Sequence, residues 1–278
     1  MRAMSIPAHR YWSALTTRDF AALDPARTVA LLPLGACEQH GPHLPLAVDT
    51  TLVDAMVQAA LPQLSEQLPV LVLPTQNVGY SPEHSDFPGT LSLSMDSVLR
   101  LWCDLGAGVA RAGVKKLLLF NAHGGHVAPM DMVARELRQR HGLLVYSCSW
   151  FNLPLGAAVL ELFSAHEHRF GVHAGEIETS LMLALRPDLV RMGQARSFPS
   201  SSELRAQNCP ILGNGRSAKL GWAMQDYNPQ GAAGQADQAS AEKGRAVLDA
   251  VGQQLAALLA ELADLPLSTL SYDVDLQG

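Results

Sequence analysis

Three short stretches of this chain crowd carboxylates and imidazoles together at spacings that suit metal chemistry. The first is Gly35-Ala36-Cys37-Glu38-Gln39-His40-Gly41-Pro42-His43-Leu44-Pro45-Leu46-Ala47-Val48-Asp49, in which Glu38, His40 and Asp49 offer hard oxygens and an imidazole nitrogen. That donor mixture suits zinc, manganese or iron rather than a thiolate site. Asp49 has a second role open to it, as the cap of a helix starting at Thr50. The second stretch is Asn121-Ala122-His123-Gly124-Gly125-His126. A histidine followed by two glycines can approach a metal while the backbone turns sharply, although a glycine-rich turn can also hold histidines with no ligand duty. The third is His173-Ala174-Gly175-Glu176-Ile177-Glu178-Thr179-Ser180, running into Leu181-Met182-Leu183-Ala184-Leu185. Here Glu178 lies three, four and seven residues before Leu181, Met182 and Leu185, on one helical stripe that should face inward. A buried carboxylate needs a cation or strong hydrogen bonds, so Glu178 is the preferred ligand of this group. Glu176 points elsewhere and suits a first-turn charge. His173 precedes the helix and is free for acid/base work.

A fourth stretch, Gly79 to Thr90, carries Ser81, Glu83 and His84. It reads equally as a turn-rich loop, with Pro88-Gly89 as turn signal, or as pocket lining.

These residues need a scaffold. Thr28–Pro33, Val70–Pro74, Lys116–Phe120 and Leu143–Ser147 are continuous apolar runs rather than alternating ones, which marks strands of a parallel sheet covered on both faces. Helical patterns near 50–66, 95–112 and 128–141 lie between them, so the rhythm predicts a layered α/β/α fold with a mostly parallel central sheet. In such sheets ligands bind beyond the carboxyl ends of the strands, where the first two clusters fall. Residues 186–235 read as long loops. A long amphipathic helix returns at 236–263, with Val247, Val251, Leu255, Leu258 and Leu262 near one stripe. No linker divides the chain, so 1–278 reads as one domain.

Composition narrows the function. The chain has 278 residues, 17% of them charged, with a net charge of −6. No basic run supports a nucleic-acid role. No uninterrupted apolar stretch reaches the roughly 18 residues of a membrane span, and the N-terminal stretch MRAMSIPAHRYWSAL lacks the apolar core of a signal peptide. Cys37, Cys103, Cys148 and Cys209 are irregularly spaced, which suits a reducing cytoplasm better than a disulfide framework.

The clusters together resemble the creatininase family. The stretch from Gly35 to Leu46 resembles its Gly-Ser-x-Glu-Gln-His-Gly-Pro-His-Leu-Pro hallmark, followed by Asp49. Glu83-His84 with Phe87-Pro88-Gly89-Thr90 is similar to a second motif, Asn121-Ala122-His123-Gly124-Gly125 to a third, and His173-Ala174-Gly175 with Glu178-Thr179-Ser180 to a fourth. Gly231 to Gly244 is similar to a fifth. The resemblance implies a layered α/β fold, homohexamers and two divalent ions (Zn, Mn or Fe). Glu38 and His123 would bind one ion, His40 the other, and Asp49 would bridge them. The activity implied is hydrolysis of a non-peptide C–N bond, as in a cyclic amide or formamide, by a hydroxide that the two ions activate. His173, or a carboxylate such as Glu176, would protonate the departing nitrogen, and Ser81, His84, Gly124, Gly125 and His126 would face the substrate. Creatinine hydrolases of the family carry Tyr-Glu where Gly124-Gly125 stand, a tryptophan where Arg169 stands, and relatives usually have Asn where His126 stands. Glu178 is then the candidate to complete the second ion's shell. Arg169, Arg196 or Arg205 would meet an anionic substrate only if they faced the pocket. The alternatives are a true creatinine amidohydrolase and, in another class, a non-catalytic metal-binding sensor or scaffold.

Overall fold

The computed structural model describes residues 10–271. The first nine residues, which hold most of the stretch read for a signal peptide, and the last seven lie outside the described residues, as do the two ends of the 1–278 domain reading. In chain order the helices and strands are α1 (Thr17–Phe20), β1 (Val29–Leu34), α2 (Val48–Ala60), β2 (Val70–Val72), α3 (Met95–Arg111), β3 (Lys116–Asn121), α4 (Val127–His141) and β4 (Leu144–Ser149). They continue with α5 (Ala157–Leu160), α6 (Ala165–Phe170), α7 (Glu176–Leu185), β5 (Ser197–Phe198), α8 (Ser201–Asn208), α9 (Met224–Tyr227), β6 (Gly234–Gln235) and α10 (Ala241–Asp264).

The four continuous apolar runs form one parallel sheet in the order β2-β1-β3-β4. Val29 pairs with Val70 on one side and Lys116 on the other, and Lys116 pairs with Leu144. Successive side chains of a strand point to opposite faces. Val29 and Leu31 therefore join one core, with α2, α7 and α10, while Ala30, Leu32 and Leu34 join a second with α3 and α4. Two separate apolar cores on two faces make the fold a three-layer α/β/α sandwich. This is why β1 and β3 carry no polar alternation: neither face of either strand meets water.

Several boundaries differ from the sequence expectation. Helix α2 begins at Val48 rather than Thr50, with Ala47 at its N-cap and no side-chain cap, so Asp49 lies inside the first turn. The capping alternative for Asp49 is thereby removed. Helix α10 begins at Ala241, because Ser240 caps it by accepting the Lys243 N–H and residues 236–238 form a separate 3-10 turn. Its buried stripe runs through Val247, Val251, Leu255, Leu259 and Leu262, so Leu259 takes the place expected of Leu258. This 24-residue helix is long and apolar enough to cross a membrane, but its apolar stripe is packed within the core beside α2 and α7. The 186–235 segment is mostly loop, as expected, but holds α8, α9 and the antiparallel pair β5–β6.

Two contacts set the position of α10. Lys116 is fully buried and its ammonium donates to the Ala263 carbonyl at 2.6 Å, satisfying the C-terminal end of the helix. Near its other end, Gly244 packs directly on α7: a Cβ there would stand 1.9 Å from the Ser180 carbonyl oxygen. Gly244→Ala should therefore push α10 off α7 and destabilise the protein by about 1–3 kcal/mol, lowering Tm by a few degrees in thermal unfolding. Gly193→Ala, where nothing lies within 4 Å of the added Cβ, should leave Tm unchanged.

Candidate metal centre

Four loops meet at the carboxyl end of the sheet. Glu38 and His40 lie between β1 and α2, and Asp49 sits in the first turn of α2. The segment after β2 delivers Ser81, Glu83 and His84, the turn after β3 delivers His123, and the approach to α7 delivers His173 and Glu178. Close packing of loop on helix sets the first group: a Cβ on Gly35 would stand 2.6 Å from Thr50 Oγ1.

The distances are short. His123 Nδ1 lies 3.1 Å from Glu38 Oε1 and 3.4 Å from Asp49 Oδ2. His40 Nε2 lies 3.4 Å from Asp49 Oδ1, and His84 Nε2 lies 3.3 Å from Glu38 Oε1. Donor atoms of Glu38, His40 and Asp49 lie within 4.8 Å of one another, as do those of His40, His173 and Glu178. Glu38, His40, Asp49, His84 and His123 are all buried.

Hydrogen bonds fix which ring nitrogen faces the cluster. His40 Nδ1 donates to the Glu38 carbonyl at 3.1 Å, which leaves Nε2 for the centre. His123 Nε2 donates toward the Tyr80 carbonyl at 3.1 Å, with Glu83 Oε1 at 3.2 Å, which leaves Nδ1 facing Glu38 and Asp49. This is the outer support by which metal-binding histidines are oriented. His173 Nε2 donates to the Gln39 carbonyl at 2.7 Å, so its Nδ1 turns toward Glu38, 4.0 Å away. The His173 ring lies between those of His40 and His84, with centroids 4.1 and 4.3 Å apart. Glu178 accepts from the Ala174 N–H at 2.6 Å, with Ala174 held at φ +52°, a left-handed conformation uncommon outside glycine.

The test of fit is what these atoms lack. Glu38 Oε1 and Oε2, Asp49 Oδ2 and His40 Nε2 are buried without hydrogen-bond partners. Orphaned acceptors at this density are costly unless something positive lies between them. Either protons or cations must fill that role. Burial pulls His40 down, but Asp49 lifts it to about 9. His123 is also opposed by burial and raised well above the ordinary histidine value by Glu38. Burial tends to raise Asp49, yet His40 and His123 hold it below the usual carboxylate range. Burial raises Glu178 to about 7 against the pull of His40. Burial and the neighbouring His40 depress both His84, to about 3, and His173. Divalent cations would replace those protons, and their donor set of carboxylates and imidazoles fits.

The remaining sequence candidates separate. Gly124, Gly125 and His84 line the cavity beside the cluster. Ser81 and His126 do not: both are fully buried behind His123 and so are not placed to face a substrate. Ser81 Oγ lies 3.3 Å from His123 Nε2. His126 accepts the Tyr80 N–H at 3.0 Å and donates to Asn121 Oδ1 at 3.1 Å, and that oxygen also accepts the His123 N–H at 2.9 Å. His126 thus braces the turn that aims His123. Glu176 leaves the cluster too. Its carboxylate is ion-paired with Lys243 of α10 and does not line the cavity, which removes the reason to give it a proton-transfer role. Arg169 stacks over Phe170, Arg205 over Tyr227, and Arg196 is exposed; none lines the cavity.

Other residues enter that the sequence did not single out. Gln39 accepts the Gly41 N–H at 2.9 Å through Oε1 and donates through Nε2 to His84 Nδ1 at 2.8 Å. Glu167 accepts the N–H groups of Glu176 at 2.6 Å and Gln235 at 2.7 Å, joining α6, α7 and β6 beneath His173. The glycines around it, Gly171, Gly175 and Gly234, were the available signal: a Cβ on any of them would crowd its carboxylate. Glu83, read only as possible lining, fills the space a side chain at 125 would need, since a Cβ on Gly125 would stand 2.3 Å from Glu83 Oε1. Trp222 lines the cavity edge-on to His84, with ring centroids 6.2 Å apart.

Comparison with known proteins agrees with this architecture. The chain is 32% identical over 188 residues to a creatinine amidohydrolase of Pseudomonas putida, covering 63% of this chain and 70% of that protein. It is 29% identical over 225 residues to a mycofactocin precursor peptide peptidase of Mycobacterium ulcerans, covering 78% of each. A solved structure described as "Creatininase Mn" superposes with a TM-score of 0.73 at 28% identity, over 92% of this chain and 99% of that one. The creatininase family model, described as creatinine amidohydrolase, matches residues 13–259, and the chain belongs to the creatininase family of hydrolases.

Proposed function

We propose that the chain is a two-metal amidohydrolase that cuts an amide-type C–N bond at the cluster around Asp49. The observation that carries this reading is the set of buried, unpartnered acceptors on Glu38, Asp49 and His40 facing the free nitrogen of His123. In this reading Glu38, Asp49 and His123 hold one divalent ion. His40, Asp49 and Glu178 hold the other. Bound there, zinc, manganese or iron ions supply Lewis acidity for a carbonyl and lower the pKa of a water molecule.

The chain's own groups supply the rest. His173 is neutral and keeps a lone pair on Nδ1, pointing at the centre, because its Nε2 proton is committed to the Gln39 carbonyl. It takes at Nδ1 a proton released by the attacking water and passes it to the departing nitrogen as the C–N bond breaks. The rings of His40 and His84 hold His173 in plane, and Glu167 ties its loop to α7 and β6. Glu83 orients His123 from behind, through the nitrogen that does not face the metals. Gly124 and Gly125 leave the cavity side of that turn open to substrate.

Three outcomes test these roles. His123→Ala should lose at least one equivalent of bound metal, by elemental analysis, together with all measurable amide hydrolysis. His173→Ala should keep the full metal complement while turnover falls by about 10²–10⁴; normal turnover in that variant would remove the proton-transfer role. Stripping the protein with a chelator should lower Tm, because ions that bind only the folded state stabilise it by mass action, and manganese or zinc should restore both Tm and activity.

A further inference from the structure

The cluster forms only one end of its cavity. The space measures about 410 Å³, within the roughly 300–1,000 Å³ of pockets that enclose whole small molecules. An amide group over the cluster would leave most of it empty. The rest is walled by Trp150, Phe151, Leu160, Phe163, Ile177 and Trp222. Trp150 and Phe163 are almost wholly buried, whereas Phe151 and Leu160 are 45% and 47% exposed.

Charge narrows the occupant further. Among the described residues no lysine or arginine lines this cavity, and Lys243, whose ammonium lies 5.6 Å from the Phe163 ring centroid, is already paired with Glu176, so a carboxylate or phosphate in the apolar end would have no free partner. The acidic lining residues are Glu38, Asp49, Glu83, Glu167 and Glu178. Each is already engaged within the protein. Glu38, Asp49 and Glu178 belong to the cluster, Glu83 faces His123, and Glu167, itself buried, accepts the backbone N–H groups of Glu176 and Gln235, one on each oxygen, and is packed among Gly171, Gly175 and Gly234. His168, the other polar side chain at this end, is committed to the Leu160 carbonyl at 2.8 Å.

We infer that the substrate is an amide bearing one bulky, uncharged, apolar arm, aromatic or branched aliphatic, which lies against Trp150 and Phe163 with Trp222 across it. The bond that is cut rests on the hydrolytic reading above, whereas occupation of the apolar arm can be measured without turnover.

The experiment uses zinc- or manganese-loaded protein and four compounds with the same head: N-methylformamide, N-phenethylformamide, N-formyl-β-alanine and N-formylethylenediamine. Binding is followed by tryptophan fluorescence and calorimetry, and hydrolysis by amine release. N-phenethylformamide should bind at least about tenfold more tightly than N-methylformamide, since burying a ring in an apolar pocket is worth that much or more. The two charged compounds should bind no better than N-methylformamide. Trp222→Ala should erase most of the preference with metal content unchanged, and Leu160→Asp, a change at a half-exposed position, should weaken N-phenethylformamide while improving the cationic compound. Equal binding of all four compounds, or a preference that survives both substitutions, overturns the inference. Selective binding of N-phenethylformamide with no hydrolysis of any compound would uphold the arm and overturn the hydrolytic reading. Hydrolysis of all four at equal kcat/KM would uphold the hydrolytic reading and overturn the arm.

Discussion

Lone pairs that face one another in a buried space repel, and this molecule brings carboxylate oxygens and imidazole nitrogens to within 3.1–3.4 Å of one another at the end of its sheet. Such a cluster survives only if positive charge sits inside it and if the surrounding chain cannot relax to relieve it. The second condition explains much of the local structure. Each ring that faces the centre is anchored from behind: His40 on the Glu38 carbonyl, His123 on Tyr80 and Glu83, and His173 on Gln39. Gln39 serves several neighbours at once, through its side-chain amide and its carbonyl. These contacts hold the groups in place against swinging toward solvent, and so keep the acceptors gathered in the buried space.

The layered fold supplies the rigidity those anchors need. Parallel strands buried on both faces deliver three of the loops in register, so a shift of one strand would move ligands relative to one another across the whole site. The fourth group comes from outside the sheet. Helix α7 owes its place to α10, which approaches it closely at Gly244 and receives the Glu176 carboxylate through Lys243. Glu178, in the first turn of that helix, can thus turn toward His40 while Glu176, two residues earlier, is neutralised on the opposite side.

Much of this was legible from residue types. Glu38, His40 and Asp49 lie in one short stretch, and hard donors at that density have few other uses. Glu178 shares a stripe with the buried Leu181 and Met182, although it is itself only half-buried and the buried carboxylate of that turn is Glu176. The strands were legible because neither side of a buried parallel sheet tolerates polar alternation. The misplacements have physical causes as well. Glu176 was available as a catalytic acid only while Lys243, distant in sequence, was unknown as its partner. His126 resembled a substrate contact because it follows two glycines that do line the cavity; one further step round the 3-10 turn sends its ring back beneath His123. Trp222 carried no periodic signal, since the polar, glycine-rich segment around it has neither a helical nor a strand repeat to show which way a side chain turns. Glu167 was silent because its partners are backbone N–H groups, which no side-chain motif advertises.

The contact between Gly125 and Glu83 has an evolutionary consequence. The turn after β3 is drawn in so tightly that a side chain at 125 would collide with Glu83, His123 and the Tyr80 carbonyl. Position 125 is therefore closed to any side chain while the turn keeps this course, because His123 and the Tyr80 carbonyl would block it even with Glu83 removed. Descent from an ancestor with a side chain at 125 would have required the turn after β3 itself to draw in, and not merely an exchange at 83. A lineage that has once lost the side chain at this position can regain one only by rebuilding the backbone around it.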